Sequence, residues 1–276
     1  MSLDQRLRIS LLAIPGASIE RAFWYFTIAG FAWLSLHVIL ARWLAHRRIG
    51  EKTPSLGQMS REVFYSFRSL LIYGLVGGFM AFAYLSDWTQ IYTRIEPGHP
   101  RSGPQLFPLG PLSPGWTYLL FNLALIVLIH DTYFYWTHRL MHHPRLFRLM
   151  HRTHHLSINP SPWAAYAFST WEAFVQAGIA PLVLFTLPTH PIAFSIFMLW
   201  QISFNVLGHC GYELFPAWFV RSWLGRILNT ATHHAQHHET NRANFSLYFN
   251  LWDRLMGTNH HRYRQRYAQA VSDPSL

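Results

Sequence analysis

Eighteen histidines occur in 276 residues, and most are packed between positions 138 and 238. His138 and His142 stand four apart; His151, His154 and His155 form H-x-x-H-H, and His234, His237 and His238 repeat that pattern. Residues three and four apart on a helix share a face, so each cluster is expected to aim two or three imidazoles at one point. Eight rings exceed the needs of one tetrahedral zinc, which takes four ligands, three of them in a typical catalytic site. Two metals with open positions fit the count better. His209 is a ninth candidate, with Asn205 one turn before it.

Imidazole suits Zn, Cu, Fe and Ni, and the single Cys210 leaves no thiolate cluster and no internal disulfide framework. No H-E-x-x-H supplies the general base of a hydrolytic zinc site, and the carboxylate-rich shell of soluble four-helix di-iron proteins is missing. A neutral shell of histidines at a membrane surface points to oxygen chemistry on lipids. His37, His46, His99, His190, His260 and His261 read as ordinary core or surface residues, and His143 and His233 as bystanders or supports of a cluster. A passive metal-binding patch is the bland alternative. Three clusters on one expected face, two of the same grammar, argue against it.

The elements that must position these rings are apolar helices. Hydrophobic residues make up 51% and charged residues 12%, about half the charged share of an ordinary soluble domain. Ala22 to Ala41 and Ser69 to Ser86 carry no formal charge, and the stretch between Glu172 and Glu213 is broken only at Pro188–Pro191. Runs of ~18 or more apolar residues are what a bilayer span needs. The 12 tryptophans suit lipid–water boundaries. The expected fold is all-α: a multi-spanning membrane bundle of about four helices plus a partial hairpin, with a cytosolic histidine-rich helical cap. Helices are expected from about Ala22 to Leu44, Ser69 to Leu85 and Trp116 to Trp136, and a hairpin from Trp171 to His209. The Pro/Gly-rich stretch from Glu96 to Gly115 reads as a linker. This divides the chain into N-terminal membrane helices and linker, 1–115, and a histidine-box region with the hairpin, 116–276. The first apolar run reads as a retained span, without signal-peptide grammar.

Seventeen basic residues fall on one side of this topology and five on the other. The positive-inside rule then puts the N-terminus outside and everything after Trp136, apart from the hairpin tip, inside. The formal charge of +10 belongs to that bias and not to nucleic-acid binding, for which no motif is present. Lys52 is the only lysine, a skew that suggests a GC-rich bacterial genome and hence the inner membrane, with the histidine clusters facing the cytosol. Charges at membrane depth are costly, which singles out Asp131 and Glu172. Either can support a metal-bound imidazole, or pair with an interfacial arginine; Glu172 can also cap the hairpin helix. His130 is assigned to neither group.

The chain resembles the fatty acid hydroxylase/sterol desaturase superfamily of membrane di-iron proteins over roughly His130 to Thr258. The stretch from Asp131 to His142 is similar to an aromatic run entering H-R-x-x-H, His151–His155 to a second box, and Asn159–Tyr166 to the segment after it. Thr232–His238 is similar to a third box, and Trp252-Asp253-Arg254-Leu-Met-Gly257-Thr258 to a closing motif. Two places depart from the pattern: Asn205 stands where some relatives have histidine, and Ser169-Thr170 where His-Pro is frequent. The resemblance implies that His138, His142, His151, His154, His155, His209, His234, His237 and His238 hold two Fe ions, for which zinc can substitute in purified protein. It implies hydroxylation or desaturation of a C–H bond in a lipid substrate, sterol-like, fatty acyl or related, with O2 and two electrons. No His-Pro-Gly-Gly haem motif occurs, so electrons are expected from a separate donor protein, ferredoxin-like or cytochrome b5-like. Phe134, Tyr135, Trp163 and Tyr166 are candidates to wall the substrate cavity. The alternatives are an ether-cleaving or aldehyde-processing relative with the same centre, a zinc hydrolase, and a non-catalytic membrane metal-binding or transport protein. Transport favours ligands near the bilayer midplane, whereas these clusters lie in segments expected to be cytosolic.

Overall fold

The computed structural model describes residues 1–50, 52–93 and 116–271; most of the expected linker, residues 94–115, lies outside them. Helix α1 runs over Leu3–Trp33 and continues in a π-helical turn, Leu34–Ile39. It starts well before the expected Ala22 because Ser2 and Gln5 form a reciprocal capping box, the Gln5 Oε1 accepting from the Ser2 N–H at 2.9 Å. Charge had hidden this part. Asp4 pairs with Arg8 one turn on, at 2.9 Å, and Glu20 with Arg21 at 2.7 Å, so the charges sit on a helix. Helix α2 spans Leu56–Leu85, again starting earlier than expected, behind the Ser55 cap. Its charged first half buries Glu62, which receives Gln58 Nε2 at 2.8 Å and the Ser161 hydroxyl.

Helix α3 covers Trp116–Met141 and is followed by the short α4, Pro144–Met150. The expected hairpin is present in three pieces: α5 Thr170–Ala177, α6 Ile179–Thr186 and α7 Pro191–Gly208. The α5–α6 break falls at Gly178, where a Cβ would lie 2.6 Å from the Tyr133 hydroxyl. Helix α8, Ala231–Thr240, carries the third histidine cluster. Among the described residues there is no β-strand, only isolated bridges.

Leu3–Ile39, α2, α3 and α7 are long and apolar enough to cross a bilayer; α5 and α6, at eight residues each, are not. Large apolar side chains face outward, among them Phe31, Phe64 and Leu120 at 73%, 67% and 65% exposure. In water such a surface would be an aggregation liability, and in lipid it is the expected exterior. The chain is an integral membrane protein. Inside, one core joins α1, α2, α5 and α7 around Tyr25, Leu70, Tyr166 and Phe168, and a second joins α2, α3, α6 and α7 around Met80, Ile126, Val183 and Phe197.

Helices α1 and α2 run antiparallel, with Gly74 against Ser18, Gly77 against Ala17 and Gly78 against Ile14. Small residues at membrane-helix contacts let backbones approach closely. A Cβ on Gly74 would stand 2.8 Å from the Ile14 carbonyl oxygen and collide with the Ser18 side chain. Gly74→Leu is therefore expected to destabilise the protein by about 1–3 kcal/mol, the usual cost of overpacking. Thermal unfolding in lipid nanodiscs measures it, and an unchanged midpoint would contradict the packing.

Candidate metal centre

Nine imidazoles converge at the end of the bundle. His138 comes from the last turn of α3 and His142 lies just beyond it. His151 ends α4, and His154 and His155 sit in a 3-10 turn, His154–Leu156. His209 caps the C-terminus of α7, and His234, His237 and His238 lie on α8. Their ring nitrogens fall into two groups: His138, His142, His151, His155 and His237, and His154, His209, His234 and His238. Within each group the nitrogens all lie within 4.8 Å of one another. The expectation that each sequence cluster aims at one point is corrected here. The second cluster divides because neighbouring residues His154 and His155 point apart in a tight turn. The third divides because His234 and His238 share a helix face that excludes His237.

The residues fit a pair of cations. In the four-histidine group, Nε2 of His209 lies 3.2, 3.0 and 3.2 Å from Nε2 of His154, His234 and His238. One ring nitrogen carries one proton or one lone pair, so N–H donation alone cannot satisfy three such neighbours. In the other group, Nε2 of His237 lies 3.1 Å from those of both His142 and His155. Three rings have their tautomer set by the backbone: Nδ1 of His138, His237 and His209 lies 2.7 Å from the carbonyl oxygens of Phe245, Ala243 and Asn205. A carbonyl only accepts, so Nδ1 bears the hydrogen and Nε2 presents its lone pair.

Burial holds the rings neutral. His151, His154, His155, His234, His237 and His238 are kept well below the ordinary histidine range, first by desolvation and then by neighbouring imidazoles. His209 is pushed down to about 4, mainly by burial. Neutral imidazole is the form that binds metal, so these rings resist competition from protons.

Glu172 Oε1 lies 2.7 Å from Nδ1 of His151, both residues being buried. Burial pushes this carboxyl up, while a cation on the far nitrogen of His151 would favour its ionised form. Asp131 is placed differently from the expected contact with an imidazole: its Oδ1 accepts the backbone N–H groups of Tyr248 and Phe249, at 2.8 and 3.2 Å. Asn205 contributes its carbonyl to His209 and donates its side-chain amide to the Ala165 carbonyl at 2.8 Å. His143 caps α4, and His233 stands 3.6 Å from Asp253.

Two supports were not assigned a role from the sequence. Asp253 accepts from Phe245 and Ser246 N–H groups at 2.9 and 2.8 Å, and from Thr258 Oγ1 at 2.7 Å. Asp131 and Asp253 thus hold the 245–249 loop, whose Phe245 carbonyl orients His138. Glu213 accepts from Thr232 N–H and Oγ1, at 3.1 and 2.7 Å, and fixes the first turn of α8. In the sequence Asp253 stands within the Trp252–Thr258 motif without a role attached, and Glu213 shows only as one of the 12 acids of an apolar chain.

A cavity of about 160 Å³ lies within the bundle, lined by α1, α2, α3, α5, α6 and α7 and by none of the nine centre histidines. Its walls include Met80, Leu184, Phe194 and Met198, with Tyr166, Gln176, Gln201 and His130 as polar points and the Glu20–Arg21 pair as its charged edge. His130 and Gln201 each precede a centre histidine by eight residues, about 12 Å along a helix. Between lie Phe134, 4.9 Å from His138, and Phe168, 5.2 Å from His154, as ring-centre separations. Of the four aromatics expected to wall a cavity, Tyr166 does so. Trp163 packs on α1 against Tyr25 and Trp33, and Tyr135 stacks on Trp252.

A membrane helical bundle with a two-group histidine centre is the class that fold and site define. Residues 123–258, just under half of the chain, match the model of the fatty acid hydroxylase family. The chain is 30% identical over 145 residues to a Delta(7)-sterol 5(6)-desaturase of Gibberella zeae, covering 52% of this chain and 43% of the relative. It is 27% identical over 208 residues to lathosterol oxidase of Rattus norvegicus, covering 74% and 62%. A cholesterol 25-hydroxylase-like protein of Danio rerio is 32% identical over 151 residues, covering 54% and 59%. The chain thus spans less than two thirds of the length of each. No solved structure gives a significant match.

Removing a support of a metal-bound histidine typically costs about 10–100-fold in metal affinity. Asp131→Leu is expected to free the 245–249 loop and weaken the five-histidine group first, leaving close to one metal per chain under a limiting chelator. Asp131→Asn keeps a carbonyl acceptor and should retain most of the second metal. Equal metal content in all three proteins would contradict the role of the loop.

Proposed function

We propose that the chain is a membrane-bound di-iron oxygenase that hydroxylates or desaturates a C–H bond of a lipid, using O2 and two electrons. The observation that carries this reading is the pair of nitrogen-only groups, with a largely apolar cavity about two helical turns from them within the bundle. Nine neutral rings without a carboxylate among them leave the charge of the cations undiminished, and Phe134 and Phe168 stand between the cavity and the centre. The two Fe ions, when bound, supply the O2 activation that cleaves an unactivated C–H bond.

The chain's own residues hold and orient. His138, His142, His151, His155 and His237 hold one ion, and His154, His209, His234 and His238 the other. Glu172 keeps the hydrogen on Nδ1 of His151, so that its Nε2 faces the metal. The cavity binds the apolar body of the substrate, and Phe134 and Phe168 decide which carbon reaches the centre. Position matters steeply here, since a misplacement of about 1 Å can cost ~100-fold in rate. Relatives named as sterol desaturase, lathosterol oxidase and cholesterol 25-hydroxylase-like support a sterol-like substrate among the lipids. Residues 1–115 then serve as the N-terminal membrane helices and linker, α1 and α2 also walling the cavity, and 116–276 as the catalytic region, in a bacterial inner membrane with the centre facing the cytosol. A separate ferredoxin-like or cytochrome b5-like protein supplies the electrons.

Whole-lipid mass spectra from cells expressing the intact chain are compared with those from a His154→Ala, His155→Ala double mutant, which removes one ring from each group. The expected result is a lipid that gains one oxygen, or loses two hydrogens, only with the intact protein and only in air. Unchanged lipids in the native host, with well-expressed protein and donor present, would overturn the proposal.

A further inference from the structure

Eight of the nine centre histidines are buried; His142 alone is partly exposed. It opens into a surface groove of about 630 Å³, with Phe147 and Arg148 on one bank and Thr240, Asn241 and Arg242 on the other. Phe147 links groove and centre, its ring 5.3 Å from His142 and 5.7 Å from His155. Arg148 and Arg242 are exposed, as are the nearby Arg145 and Arg152. Among the described residues none of the four side chains has an ion pair or a hydrogen bond. The nearest acid in sequence to Arg242, Glu239, is taken by Arg266 at 2.7 Å. Among the described residues, Arg148 and Arg242 thus stand without a charged partner on the two banks of the groove at the one centre histidine that is partly exposed.

We propose that this groove is the docking site of a small acidic one-electron carrier protein, with the His142 edge as the point of electron entry. The inference rests on the oxygenase reading and adds to it the face and the charge of the partner. Electron transfer weakens steeply with distance, and every other centre histidine lies deeper beneath protein. Unpaired arginines at a rim steer an oppositely charged partner and fix its orientation. With the metals bound, each encounter would oxidise the carrier by one electron and pass that electron to the centre that the nine histidines would hold. Two encounters and two protons accompany one O2: hydroxylation places one oxygen atom in the lipid and the other in water, and desaturation forms a double bond and two waters. Exposed Leu140 and Leu149 lie close to the rim in sequence, so an anionic lipid surface is the competing occupant that the test must separate.

The test uses the metal-loaded full chain in neutral phosphatidylcholine nanodiscs and a reduced plant-type [2Fe–2S] ferredoxin as probe. Binding is measured at low and high salt for the intact chain, for Arg148→Glu/Arg242→Glu and for Arg221→Glu/Arg264→Glu, the same charge change elsewhere. The groove pair is expected to weaken ferredoxin binding about tenfold or more, with a shallower salt dependence; the control pair should leave it within about twofold. Metal content and reduction by dithionite are measured alongside, and equality in all three shows that the centre is intact. Equal ferredoxin affinity in all three proteins would overturn the proposal. So would a groove variant that changes only binding to phosphatidylserine vesicles, which would assign the arginines to lipid. Failure of the oxygenase reading is seen separately, as absence of lipid oxidation by the intact chain even with dithionite and O2.

Discussion

Converging lone pairs of neutral imidazoles, sealed from water, are the constraint on which the rest of this structure depends. Nitrogens about 3 Å apart cannot all donate to one another, and burial denies them water and protonation alike. Such a cluster is unfavourable by itself and becomes favourable around cations. The surrounding elements therefore have to bring it together before a metal arrives, and the fold does so with helix ends. The end of α3, the end of α4, the end of α7 and the body of α8 meet where the bundle leaves the apolar region.

Positioning is done by groups that touch no metal site directly. Backbone carbonyls of Ala243, Phe245 and Asn205 choose the tautomer of three rings. Buried carboxylates in turn hold those backbones: Asp131 and Asp253 the loop, Glu213 the start of α8. In a chain with 12 acids, Asp131, Asp253 and Glu213 are buried where each accepts two or more hydrogen bonds, whereas Glu172 faces only the ring of His151. The same economy leaves the arginines outside, at the bundle surface and around the one open edge of the centre.

Much of this was legible in the residues. Cluster spacing picked out eight of the nine rings that converge, His209 stood apart as a lone candidate at the end of the expected hairpin, and the apolar runs identified the membrane helices. What the spacing did not carry was how the rings divide. His154 and His155 are adjacent in sequence yet belong to different groups, because a 3-10 turn sends them opposite ways. Helical-face reasoning holds for His234 and His238 on α8 and fails for a cluster that is not helical. The starts of α1 and α2 were missed for a related reason. Hydropathy sees charge, whereas Ser2 and Ser55 start a helix by capping its N-terminus, and paired charges can ride on its surface. The 245–249 loop had no signal, since its contribution is made by carbonyls that every residue possesses.

The most direct test of the central claim is metal stoichiometry with ligand type, measured on protein reconstituted anaerobically with ferrous iron in nanodiscs. X-ray absorption at the iron edge reads the ligands, and protein-normalised iron analysis reads the count. The account predicts two irons per chain, each in a nitrogen-dominated shell with the outer scattering of imidazole rings, and the loss of at least one iron in His154→Ala/His155→Ala. A single iron per folded chain, or a shell dominated by carboxylate oxygen, would contradict it.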